Sequence, residues 1–240
     1  HFPHLVEEEQ TGAAMTTIST DPVARTEILA RIRPASTDIT NSDPVADVPI
    51  EWEYGTGIDM DDVVGTFVEK VIDYKATVVR VKGADVPQAV VEGLRSTGAE
   101  HSAVVPVGLD KSWVGAIKTA GFDARLDDPQ LSKKELNDTD AVVTGAACGI
   151  ADTGSIVLTH VEDQGRRAIT LVPDRHVCVV KASQVVSDVP EAIQIVKPAV
   201  HEGHPLTFIS GGSATSDIEL SRVDGVHGPR RLYVIVVDDR

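Results

Sequence analysis

Hydrophobic positions become regular from Asp59 onward. Val63, Val64, Phe67, Val68 and Val71 recur at three- and four-residue spacing, which predicts a helix with one buried stripe. The β-branched run Thr77–Val81 then predicts a strand. A second helix follows Asp85, which stands at its capping position; Val86, Val90, Val91 and Leu94 face inward and Gly98 ends it. Ser102–Val107 reads as a strand, Lys111–Ala120 as a helix and Leu131–Asp138 as a short helix. Strands alternating with helices of this length predict βαβ units and a parallel sheet.

The second half has a different texture. Ala141–Thr144, Gly154–Thr159, Ala168–Val172 and His176–Lys181 are strand-like runs with no room for helices between the last three. Turns at Glu162–Gly165 and Pro173-Asp174 connect them, so an antiparallel β-meander inserted in the α/β frame is expected. Ser187 or Asp188 caps a helix to Lys197, with Pro190 in its first turn, where a missing N–H costs nothing. Leu206–Ile209 and Leu232–Val237 are nearly unbroken apolar runs, the pattern of strands covered on both faces. The expected fold class is α/β, a mostly parallel sheet flanked by helices, in a domain over residues 58–240. Residues 1–57 form an N-terminal arm, partly irregular. Within it Asp21–Arg33 reads as a short helix, and 34–57 is rich in turn residues. Residues 1–14 precede Met15 and show no periodicity.

Composition narrows the function classes. The chain has 240 residues, 42% hydrophobic and 25% charged, which suits a globular protein with its own core. Its formal charge of −15 repels phosphate backbones and anionic lipid, so neither nucleic acid nor membrane is an expected partner. No apolar run approaches the roughly 20 residues of a spanning helix, and no secretory signal pattern opens the chain. With only Cys148 and Cys178, a disulfide framework is not expected and the cytoplasm is the expected compartment. Two thiols also fall short of the four that usually hold an iron–sulfur cluster. The expectation is that this chain binds no cofactor.

Three segments carry polar groups placed for ligand contact. Thr144–Ser155 (TGAACGIADTGS) joins two strands through several glycines, with Asp152 and Thr153 as its polar members. It lacks the dinucleotide-binding and P-loop patterns. Ser210, Gly211, Gly212, Ser213, Thr215 and Asp217 follow the strand LTFI, as a glycine-rich turn opening a helix would, and Ser216 and Glu219 have capping-box spacing. The acidic residues at 217 and 219 oppose a strongly charged anion there, so a carboxylate or a protein partner fits better than a triphosphate. In VHGPRRL, His227, Arg230 and Arg231 precede the last strand. One arginine is expected to fork onto a carboxylate, the other to leave by the opposite face or pair with an acidic neighbour. His176, His201 and His204 lack the spacing of a zinc protease, and no G-x-S-x-G nucleophile motif occurs.

TGAACGIADTGSIVLT, RRAITLVPDRHVCVVKASQVV, FISGGSATSDIE and GVHGPRRLYVIVVDD together resemble the LUD-domain family, at its lactate-utilization C branch. The resemblance runs from about Asp59 to Asp239, and it implies a fold related to the NagB/RpiA/CoA-transferase group. It further implies a non-iron–sulfur subunit of a system oxidising L-lactate to pyruvate, beside partner subunits that carry the iron–sulfur clusters. The sequence departs from the family pattern in three places. Asp152 replaces the Glu of an E-T-G motif, Gly211-Gly212-Ser213 replaces a G-P-S turn, and the arm is longer. The alternative is a stand-alone enzyme of the same fold acting on a phosphorylated or thioester metabolite; a third reading is a structural adaptor.

Overall fold

The structure, a computed structural model, describes residues 22–35, 37, 39, 41–43, 46, 57–216, 222–224 and 228–239. It divides into two units, His1–Trp52 and Glu53–Arg240. In the first, α1 spans Pro22–Ala35, where a helix is expected, and Arg31 pairs with Glu27 one turn away. Most of the stretch expected to be an irregular arm lies outside the described residues.

The second unit runs α2 (Val63–Asp73), β1 (Thr77–Lys82), α3 (Val86–Thr97), β2 (Ser102–Val105), α4 (Lys111–Thr119), β3 (Asp123–Leu126), α5 (Lys133–Asn137) and β4 (Ala141–Thr144). It continues with β5 (Cys148–Ile150), β6 (Ser155–Leu158), β7 (Arg175–Lys181), β8 (Val185–Val186), α6 (Val189–His201) and β9 (Thr207–Ile209). A β10 (Ala214–Ser216), β11 (Arg222–Asp224) and β12 (Arg231–Asp238) complete it. Helix starts are set by side chains taking up the first free N–H groups. Asp62 accepts from Gly65, Asp110 from Ser112 and Asp188 from Glu191, while Ser132 and Glu135 form a capping box. Asp85 stands at the N-cap of α3 as expected, but after a 3-10 turn, and its side chain makes no capping bond.

Six parallel strands pair in the order β1-β12-β7-β4-β2-β3. The alternation of β12 divides the core. Tyr233, Ile235 and Val237 pack with Val90, Leu94 and Ile117 from α3 and α4. Leu232, Val234 and Val236 pack with Phe67 and Val71 of α2 and with Ile156 and Leu158 of β6. A second sheet, order β8-β5-β6-β9, therefore lies against the first, and Ala192 and Val196 of α6 cover its far side through Cys148, Ile150 and Val157. At the N-terminal edge of the large sheet, Arg175 and Arg231 both donate to the carbonyl of Thr97 at the end of α3.

The parallel sheet, its helices and an inserted antiparallel element agree with the expected class, but several local expectations are corrected. Ala168–Val172 is no strand. Arg167–Thr170 forms a 3-10 turn that drops Ile169 among Val104, Leu136 and Val142. Both neighbours of β4 are already taken, by β2 and β7, so the run cannot add beside β4 and is held by the packing of Ile169 instead. The Glu162–Gly165 turn joins β6 to that 3-10 turn, and the hairpin partner of β6 is the short strand β5, hidden in the glycine-rich segment. β9 is an edge strand with Phe208 46% exposed, not a central one. Ala214–Ser216 form β10, antiparallel to β11, so Ser216 is a strand residue and not a cap, while residues 217–221, where the helix is expected to begin, lie outside the described residues. β3 was not foreseen.

Ile235 is fully buried at the centre of the large sheet. Replacing it with Ala is expected to cost about 2–5 kcal/mol and with Val about 0.5–1.5 kcal/mol, measured by denaturant unfolding. Equal, negligible losses would show that this strand is not packed on the helical side.

Candidate functional site

The turn after β9 is built for close approach. Gly211 has φ +85°, open to glycine at little cost, and a Cβ on Gly212 would collide with the carbonyl of Arg230. The N–H of Ser213 donates to the Pro229 carbonyl at 2.7 Å, which ties this turn to the approach of β12. Between them lies a pocket of about 250 Å³ lined by Thr170, His176, Thr207, Ser210 and Ser213, with Leu171, Phe208 and Leu232 among its apolar walls. The N–H groups of Gly211 and Gly212, also in the lining, have no partner among the described residues. Ser210 Oγ lies 2.7 Å from Ser155 Oγ, to which Thr153 Oγ1 donates at 2.9 Å, a chain of three hydroxyls ending at the pocket.

His176 reaches the pocket from inside the sheet with only 1% of its surface exposed. Its Nε2 lies 2.8 Å from Thr144 Oγ1, while its buried Nδ1 has no hydrogen-bond partner. Burial holds its pKa down, at about 4, so the ring is neutral at pH 7. The tautomer follows the Thr144 proton. When that O–H turns to Cys178 Sγ, 3.8 Å away, Nε2 keeps the ring proton and Nδ1 is a bare acceptor. When it turns to Nε2, Nδ1 is a bare donor. Either way a buried polar atom beside the pocket lacks a partner, and such an atom costs stability until something satisfies it.

The expected site residues divide into three groups. Ser210, Gly211, Gly212 and Ser213 line the pocket, and Thr144 and Thr153 stand behind it through His176 and Ser155. Asp152, Arg230 and Arg231 do not line it. Asp152 is exposed, with its N–H on the Ser187 carbonyl. Arg230 pairs with Asp174 at 3.5 Å, and Arg231 donates to Thr97 on the helical side of the sheet, so neither of these arginines forks into this pocket. Asp217, His227 and the side chain of Thr215 lie outside the described residues. His176, Thr170 and Thr207 were missed; the only available signal for His176 was a polar residue opening an otherwise apolar strand. Cys148 and Cys178 are free and buried, and burial pushes their thiols up to about 11 and about 12. Among the described residues no group of three or more His, Cys, Asp or Glu is placed to hold a metal ion. No helix among them is long and apolar enough to cross a membrane.

Fold and pocket together define an α/β protein with a metabolite-sized recess between two sheets. The chain belongs to the LUD-domain family, whose model, described as LUD domain, matches residues 64–237. It is 44% identical over 223 residues to lactate utilization protein C of Deinococcus radiodurans, covering 93% of this chain and all of that one. It is also 31% identical over 123 residues to lactate utilization protein C of Bacillus licheniformis, half of each chain. The fold is similar to the crystal structure of a DUF162 family protein from Deinococcus radiodurans, at a TM-score of 0.63 and 41% identity, over 75% of this chain and 99% of that one.

The neutral, buried His176 ties stability to pH. The unfolded chain takes up a proton on this ring near pH 6.5 and the folded chain only near 4. Its contribution is complete above pH 6.5 and falls by about 3 kcal/mol in all as the pH drops to 4. His176→Gln, which keeps an amide near the Nε2 position, is expected to flatten that slope in pH-resolved denaturant unfolding. Parallel profiles for the two proteins would show that the ring titrates as if exposed.

Proposed function

We propose that this chain works in lactate utilization as the subunit of an L-lactate-oxidising system that carries no iron–sulfur cluster, recognising a small 2-hydroxy or 2-oxo acid in the glycine-lined pocket. The observation that carries this reading is the unpartnered Nδ1 of His176 in a pocket also lined by Gly211 and Gly212, whose N–H groups have no partner among the described residues. The two N–H groups suit a carboxylate, and Nδ1 suits the oxygen on C2, accepting from a hydroxyl or donating to a carbonyl according to its tautomer. The relatives named for lactate utilization support the substrate class.

Oxidation of lactate breaks the C2–H and O–H bonds, forms the C2 carbonyl and releases two electrons and two protons. Both native thiols are buried and protonated, so electron transfer is assigned to iron–sulfur partners. The pocket lining contains no Lys or Arg among the described residues, which favours a monoanion over a phosphorylated metabolite and weighs against the stand-alone alternative.

The test is thermal unfolding of the purified chain with L-lactate, pyruvate or inorganic phosphate. At about 100 times its dissociation constant an acid that binds adds about 2.7 kcal/mol of stability. Lactate or pyruvate is expected to raise the midpoint, phosphate is not, and His176→Gln should remove the response. Midpoints unmoved by both acids would reject the pocket. Oxidation of lactate by the isolated chain with an artificial electron acceptor would reject the division of labour.

A further inference from the structure

A second cleft, of about 810 Å³, opens beyond the C-terminal ends of β2 and β3. Pro106, Val107 and Gly108 come from the loop after β2, Asp127 and Gln130 from the loop after β3, and His160 to Arg166 from the turn after β6. Gly145, the first residue after β4, lies against this turn with its N–H on the Asp163 carbonyl. β2 and β4 are neighbours, yet the chain leaves them in opposite directions, by α4 to β3 and through the second sheet to β7. Open α/β sheets hold ligands where adjacent strands diverge in this way.

The loops here are locked together. Gly108 donates to the Glu162 carbonyl at 3.1 Å, and a Cβ on Gly108 or Gly145 would strike Glu162 or the Asp163 carboxylate. Arg166 is held by Asp127, with Nε–Oδ2 at 2.6 Å and Nη2–Oδ1 at 2.9 Å, and by the Leu131 carbonyl. Its Nη1 has no partner among the described residues. Asp163 is half-buried, receives a 3.2 Å bond from Gln164 and has no ion-pair partner among the described residues; burial pushes its carboxyl up. His160 holds φ +59°, a strained value for a residue with a Cβ, with its ring clamped between the Gly165 carbonyl at 2.9 Å and Thr207 Oγ1 at 2.8 Å.

The charge inventory selects the ligand. Gly108, Gly145 and Gly165 already donate their N–H groups to carbonyls, which leaves them unable to form a phosphate cradle. Among the described residues no Phe, Tyr or Trp lines the cleft for ring stacking. Asp127 and Arg166 neutralise each other, so among the described lining residues the acceptors in excess are Glu162 and Asp163, faced by the partly exposed His204 and, outside the lining and beyond ion-pair range, by Lys181. A half-buried carboxylate with no cation in ion-pair contact among the described residues favours a ligand that brings one. Arg166 Nη1, three residues along the same turn, remains open to an acceptor.

We propose that this cleft binds a small zwitterion of the amino-acid class, its ammonium group on Asp163 and Glu162, its carboxylate on Arg166 Nη1 and its side chain against Pro106, Val107 and Val161. The site is separate from the His176 pocket and does not rest on the function proposed for it.

Thermal unfolding of the full chain tests this with three probe sets: free amino acids (L-alanine, L-leucine, L-lysine), butylamine without the carboxylate, and butyrate without the amine. At least one amino acid is expected to raise the midpoint, butylamine less and butyrate not at all. Asp163→Asn should weaken binding by about tenfold or more, while His176→Gln leaves it unchanged. Glu162→Gln, on the exposed rim, should weaken it several-fold and guards against a folding defect in the first variant. A midpoint indifferent to every amino acid, an equal response to butyrate, or undiminished binding in both acidic-residue variants would overturn the proposal.

Discussion

A parallel strand such as β12, with six consecutive residues from Leu232 to Val237 buried, has to be covered on both faces, and most of the larger unit supplies that cover. Helices α3 and α4 seal the odd-numbered side, while α2 and the second sheet seal the even-numbered side. Each such aliphatic side chain is worth about 1.5–3 kcal/mol when withdrawn from water. The second sheet is thus part of the packing of the first. The recess beside His176 lies where the turn after β9 meets the approach to β12.

Elements with a strong local period were legible in the chain. The stripe in α2, the cap of α6 and the aliphatic run of β12 have causes within a dozen residues. Where local pattern misled, long-range pairing had decided. Ala168–Val172 has strand composition, but a 3-10 turn there drops Ile169 among Val104, Leu136 and Val142 instead. LTFI has core composition, but among the described residues β9 pairs with β6 alone and ends the second sheet, which leaves Phe208 half-exposed at the pocket. Glycines in the TGAACG segment disguised β5, because they speak for turns more strongly than three residues speak for a strand.

The candidate site was half legible for the same reason. Glycine and serine in the turn after β9 advertise a close backbone approach, and that turn does line a pocket. Side-chain direction is a property of the tertiary fold: Arg231 was within reach of two faces, and the carbonyls at the end of α3 claimed it. His176 shows the converse. A lone histidine opening an apolar strand is a weak sequence signal, yet in the fold its Nε2 meets Thr144 and its Nδ1 is left without a partner in the interior.

The burial of Cys148 and Cys178 has a practical corollary. Thiolate is the reactive form, and side chains that ionise only near pH 11 and 12 behind closed packing present almost none of it to a maleimide at neutral pH. A fluorophore or spin label attached through one cysteine engineered on the surface would therefore report from a single address, with the native pair left in place.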